Sequence, residues 1–171
     1  MDTLKKTFEF ESIPGSLEEM MKLEGAGLND PYAVTALCVL AFNEFPKNRE
    51  ACFEMLNYLK GPRPLTNFDI SFIKDRFMDG NDYVPRSYFA GTSPDNNYTP
   101  SMPCSITVFE GAHSRDQFNE GYLKIFLRSS GADSDRYIVL RHKPSTDQWF
   151  VWQFEGLLVG IRQPKSSDPW A

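Results

Sequence analysis

Residues 121–154 read GYLKIFLRSSGADSDRYIVLRHKPSTDQWFVWQF, and their spacing decides the fold. Leu123, Ile125 and Leu127 alternate with Tyr122, Lys124, Phe126 and Arg128, and Ile138 and Leu140 alternate with Tyr137, Val139 and Arg141. A period of two marks a strand with one buried face. Strands are therefore predicted over 122–128, 136–142 and 149–154. The links over 129–135 and 144–147 are too short for a parallel crossover, so neighbouring strands must run antiparallel. Residues 105–109 supply one more strand of the same kind, which makes 104–171 a four-stranded antiparallel meander with a tail. In that tail Leu157, Leu158 and Ile161 recur at helical spacing.

Upstream of the strands, residues 83–103 carry Pro85, Gly91, Pro94, Pro100 and Pro103 with Asp95, Asn96 and Asn97. Neither a helix nor a central strand persists through such a stretch, so it reads as a long structured loop pinned by Tyr88, Phe89 and Tyr98. Residues 1–82 are mainly helical. Ser16 with Glu19 forms a capping box for a short first helix. Asp30 before Pro31 starts the next one, running to about Phe45 and apolar nearly all round from Ala33 to Ala41, so it is expected to be packed on several sides. Asn48 caps a helix carrying Cys52, Phe53, Leu56 and Leu59 that ends at Gly61 and Pro62. Thr66 caps another, with Asp69 in its first turn and Leu65 placed to staple against Ile70. Phe8 and Phe10 alternate with Glu9 and Glu11 as a strand-like opener. The expected architecture is α+β: three or four helices packed as a layer on the four-stranded sheet, one domain over 1–171.

The 171 residues are 41% hydrophobic and 24% charged, the balance of a soluble globular protein. Eighteen basic against 23 acidic residues give a net charge of −5, which opposes a phosphate backbone, so no nucleic-acid partner is expected. The longest apolar run, over 33–42, is interrupted by Thr35 and too short to cross a bilayer, so no membrane partner is expected either. The first eleven residues lack the apolar core of a secretion signal. Three cysteines, Cys38, Cys52 and Cys104, are odd in number and unevenly spaced, and read as reduced thiols in a cytoplasmic protein.

Four strings stand out: PRSYFAGTSPDNNYTP (85–100), GYLKIFLRSSGADSDR (121–136), QWFVWQ (148–153) and PKSSDPWA (164–171). In combination they resemble a family of uncharacterised cytoplasmic proteins of Firmicutes, mainly gut clostridia, over nearly the whole chain. The resemblance implies family membership and brings no activity, cofactor or catalytic residue with it.

For chemistry, the sequence holds no HExxH, GxSxG, GxGxxG or GxxxxGK[ST] string, which removes the commonest protease, hydrolase and nucleotide templates. Two histidines without a clustered thiol or carboxylate do not make a zinc site, and no cofactor or metal is expected. The stretch from Arg128 to Arg136 is the most suggestive. Antiparallel pairing that brings Arg128 near Arg136 sets two guanidiniums and the amides around Gly131 about one anion. The competing reading is a hairpin loop in which Asp133 and Asp135 form Asx turns and neutralise those arginines. Arg86 with Ser87, Tyr88 and Phe89 offers a second arginine beside a hydroxyl and rings, or else a loop anchor. The leading expectation is a binding protein whose polar surface, around Arg86, Tyr88, Arg128, Asp133 and Arg136, contacts a small anionic or peptide ligand. The alternative is a hydrolase-like enzyme using Cys104 with His113 or His142. A third reading, action through a partner or oligomer, would show as an exposed Trp152 or Tyr137 patch. Trp149 and Trp152 face opposite ways on their strand, and Trp170 is expected to dock back on the domain.

Overall fold

The computed structural model describes residues 4–171. Four α-helices occur among them: α1 (Leu17–Met20), α2 (Pro31–Glu44), α3 (Arg49–Lys60) and α4 (Asn67–Arg76). Their starts follow from side chains that accept otherwise unpaired amides. Asp30 accepts from the Tyr32 amide at 2.9 Å, with Pro31 at the first helical position. Asn48 accepts from the Ala51 amide at 3.1 Å. The Thr66 hydroxyl accepts from the Asp69 amide while the Asp69 carboxylate accepts from the Thr66 amide, a complete capping box. The Ser16 box is half made: its hydroxyl caps Glu19, but the Glu19 carboxylate takes the Gly15 amide instead, and α1 lasts a single turn.

The sheet has five strands, one more than expected: β1 (Lys5–Phe10), β2 (Cys104–Phe109), β3 (Tyr122–Leu127), β4 (Arg136–Lys143) and β5 (Gln148–Gln153), in the order β1-β2-β3-β4-β5, all antiparallel. The opener is a full edge strand, paired with β2 from Lys5 opposite Phe109 to Phe10 opposite Cys104. Only Phe10 of its side chains is fully buried, so the alternation that marks a half-buried strand is weak there. The far edge, β5, is partly covered by the loop before α2: the Trp149 amide donates to the Leu28 carbonyl and the Asn29 side chain to the Asp147 carbonyl.

The simple layer of helices on a flat sheet does not hold. Every residue of α2 from Ala33 to Glu44 is buried, and α2 touches β1 and β2 at one edge and β5 at the other. One helix about 10 Å across reaches both edges only if the sheet curls around it. The helix with no polar face is thus the axis of the core, while α3 packs on α2 and β5. The expected loop is more regular than its prolines suggest: Asn81–Tyr88 is a 3-10 helix containing Pro85, and Phe89 then bridges to Ile106 of β2. Tyr88, Phe89 and Tyr98 are buried. Trp149 is buried and Trp152 half-buried. Trp170 is not docked: it is 92% exposed, and its amide donates to the Asp168 carboxylate at 2.9 Å.

Candidate functional site

Strands β2 and β3 pair at only two positions, Val108 with Leu127 and Phe109 with Phe126. Beyond them the strands part, and the end of the 3-10 helix with the two residues after it fills the gap. The Ala90 amide donates to the Ser105 carbonyl on one side, and the Ser130 amide donates to the Ser87 carbonyl on the other. Residues 87–90 thereby act as a wedge in the sheet. A cleft of about 530 Å³ lies over this seam, walled by Lys5, Phe109, Tyr88, Thr92, Arg128 and Ser130. Its polar rim is built of hydroxyls that fix one another. Ser129 donates to the Ser87 hydroxyl at 2.7 Å, Ser87 to the Val84 carbonyl at 2.8 Å, and Thr92 lies 3.0 Å from Ser130. Ser87, Thr92 and Ser129 are buried, and each has its hydrogen-bond partner.

Two cations stand at the cleft. Lys5 pairs opposite Phe109, which puts both on the face of the sheet away from α2. Arg128 is 81% exposed, with the Asp135 carboxylate 3.5 Å from its Nε, a loose and solvated contact.

The two arginines expected to converge do not. Leu127 is the register partner of Arg136, so Arg136 shares the buried side of Leu127, and Arg128, one residue on, points to the other face. Arg136 is tied to backbone carbonyls: its guanidinium donates to Val159 at 3.2 Å, Gly160 at 3.1 Å and Ser134 at 3.0 Å. Arg86 is engaged in the same way, donating to the Tyr98 carbonyl at 3.0 Å and the Asn97 carbonyl at 2.9 Å, with burial lowering its pKa. Asp133 pairs with Arg162 at 2.8 Å. The Tyr88 hydroxyl donates to the Leu157 carbonyl at 2.6 Å and so is taken up within the fold. Of the five expected residues, Arg128 and Tyr88 line one cavity, whereas Arg86, Asp133 and Arg136 do not.

The thiol and imidazole set of the alternative reading is not assembled. Cys104 is 1% exposed on the α2 side of β2, and burial pushes its thiol pKa up, toward the unreactive form. His113 lies in the turn after β2 and contacts Asp116 at 3.0 Å; His142 lies on β4 and contacts Asp147 at 2.8 Å. Neither imidazole hydrogen-bonds the thiol. The Tyr137 patch is modest, 41% exposed with the Lys124 ammonium 4.4 Å over the ring. What sequence reading missed is Lys5 and Thr92. Lys5 reaches the cleft only through the β1–β2 register, a long-range pairing with no local mark, while Thr92 sits among turn residues where a hydroxyl is ordinary.

The model of a family described as Domain of unknown function (DUF6935) matches residues 12–165. No curated protein and no solved structure matches the chain.

Proposed function

The chain belongs to the DUF6935 family, and since that membership brings no activity with it, we propose from the chemistry of the seam cleft that the protein binds a small anionic ligand there. The observation that carries this reading is the lining: Lys5 and Arg128 are its ionised groups, and no carboxylate, imidazole or thiol lines it among the described residues. Its hydroxyls have no base beside them, which favours binding over chemistry. Thr92 donates to the Phe89 carbonyl and Ser130 to the Ser87 carbonyl, so these two hydroxyls offer lone pairs to a ligand's own donors, while Lys5 and Arg128 serve its charge. Phe109 and Tyr88 supply the apolar wall. The cytosol is the proposed setting, in keeping with three unpaired cysteines.

The test is a melting series of the intact protein with citrate, phosphate and glutamate, repeated on Arg128→Ala. A bound ligand at about 100 times its Kd is expected to raise the midpoint by roughly 5–10 °C. Arg128→Ala is expected to weaken that ligand by about 1.5–3 kcal/mol, the worth of a charge-assisted hydrogen bond. A ligand whose shift survives in Arg128→Ala argues against the cleft.

A further inference from the structure

At the sheet edge opposite β1, a pocket of about 480 Å³ lies between the end of α3 and strands β4 and β5. Gly61 makes the approach possible. It holds φ +62, and a Cβ there would overlap the Phe150 ring, so the chain leaving α3 lies directly on β5. Four cations line the pocket, Lys60, Arg63, Arg141 and Lys143, and no carboxylate does. None of the four has an ion-pair partner among the described residues. In a chain of net charge −5 this is a strong local reversal of sign.

Part of the cluster has a structural account. The Arg63 and Arg141 guanidiniums lie 4.5 and 4.8 Å from the centroid of the same indole, Trp152, and Arg141 is also 5.2 Å from Tyr122. Cation–π attraction holds both. Lys60 has one such contact, with the Phe154 ring. The residue is only 6% exposed, yet its ammonium, 5.4 Å from that ring, makes no hydrogen bond among the described residues and meets solvent through the pocket. Burial pulls it toward its neutral form, and Asp69 and Glu155 act against that from beyond ion-pair distance. The C-terminal end of a helix suits a cation, but that field supplies no acceptor for the ammonium's protons. A group that brings oxygens into the pocket supplies charge-assisted acceptors.

We infer that this pocket is a second binding site, separate from the seam cleft, for a small organic anion with a flat aromatic body. The anionic oxygens accept from the Lys60 ammonium, with Arg63 and Lys143 at the mouth, and the ring packs against Phe150 and Trp152. The volume is in the range of small-molecule sites and larger than a bare inorganic anion fills. A carboxylate and a phosphate monoester offer the same chemistry to Lys60.

Calorimetric titration of the intact protein with 1-naphthyl phosphate, 1-naphthoate and inorganic phosphate tests this. One naphthyl probe is expected to bind saturably and roughly tenfold tighter than inorganic phosphate, and which one does so names the source of the oxygens. Lys60→Met, which keeps the stem and removes the charge, is expected to weaken that probe by roughly tenfold or more while its urea midpoint stays at or above that of the parent. Arg63→Gln with Lys143→Gln, on the surface, is expected to weaken it several-fold, and Arg128→Ala to leave it unchanged. Absence of saturable naphthyl binding, equal affinity for inorganic phosphate, or unchanged affinity in Lys60→Met overturns the site. A Lys60→Met protein that fails to fold marks the ammonium as structural and overturns it too, unless the surface pair still loses affinity.

Discussion

A guanidinium carries five donors, and what they meet decides whether an arginine recognises a ligand or holds the chain together. Arg86 and Arg136 meet backbone carbonyls, and Arg128 meets mostly water. Arg86→Ala is therefore expected to cost about 1.5–3 kcal/mol of stability by leaving the Tyr98 and Asn97 carbonyls without their donor, measured as a lower urea midpoint, with ligand binding at the seam retained. Arg86 and Arg128 look alike in sequence, each beside serines, because the direction of a side chain is set by contacts far along the chain. A second residue-scale feature is Glu110, 7% exposed, which accepts from both Nε and an Nη of Arg115, at 2.7 and 3.0 Å, and from the Tyr32 hydroxyl. Burial pushes its carboxyl up, but the hydrogen bonds from Arg115 and Tyr32 outweigh that and hold it below the usual carboxylate value. As pH falls, the unfolded chain takes up this proton before the folded one does, so the stabilisation is complete above the ordinary carboxylate pKa and is lost as pH drops through the folded value. Glu110→Gln is expected to flatten the acid side of a stability–pH curve and to lower stability at pH 7. An unchanged acid slope would show that other carboxylates dominate it.

Elements were legible where their signals were local. The starts of α2, α3 and α4 each rest on one capping side chain within three residues of the amide it accepts from, which is why Asp30, Asn48 and Thr66 could be read directly. Thr66→Ala breaks the hydroxyl half of the α4 box and leaves the Asp69 amide without its acceptor, while the Asp69 carboxylate still accepts from the backbone amide at position 66. Its expected cost is about 1 kcal/mol, seen as a shifted urea midpoint with an unchanged slope. Strands β2 to β5 were legible because a curled sheet around an apolar helix buries one face of each. Strand β1 lay below that threshold: as an edge strand with Lys5, Lys6, Thr7 and Glu9 exposed, it is specified by pairing to β2 rather than by its own pattern. The wedge at 87–90 was illegible for a related reason. Nothing local says that a loop residue will donate to Ser105 or accept from Ser130; that follows from β2 and β3 parting after two pairs. Gly131, in the same hairpin loop, has Tyr98 and Ile161 where a Cβ would go, so the loop's glycine answers to packing and not only to a turn.

At the scale of the molecule, the seam divides the sheet unequally. Strands β3, β4 and β5 pair along their lengths, and α2 and α3 pack beside them, whereas β1 and β2 join the rest through two residue pairs, the 87–90 wedge and the α2 face. A thin seam lowers the free energy of partial opening relative to that of global unfolding. The three cysteines report on this without further engineering, since each is unpaired and at most 1% exposed: Cys38 in α2, Cys52 in α3 and Cys104 in β2. Burial raises all three thiol pKa values, Cys38 to about 12, so alkylation requires opening rather than leakage of reagent to a reactive thiolate. Labelling with iodoacetamide across a urea series, resolved by peptide mass, is expected to give Cys38 and Cys52 the same opening free energy and the full unfolding slope. Cys104 is expected to react through a cheaper opening with a smaller slope, because releasing β1 and β2 exposes less surface than unfolding the chain. A bound ligand that bridges Lys5 to Arg128 crosses this seam, so saturating the cleft should raise the Cys104 opening free energy toward the global value. Equal slopes at all three cysteines without ligand would place the seam inside one cooperative unit and remove the reason for the ligand to act on Cys104 alone.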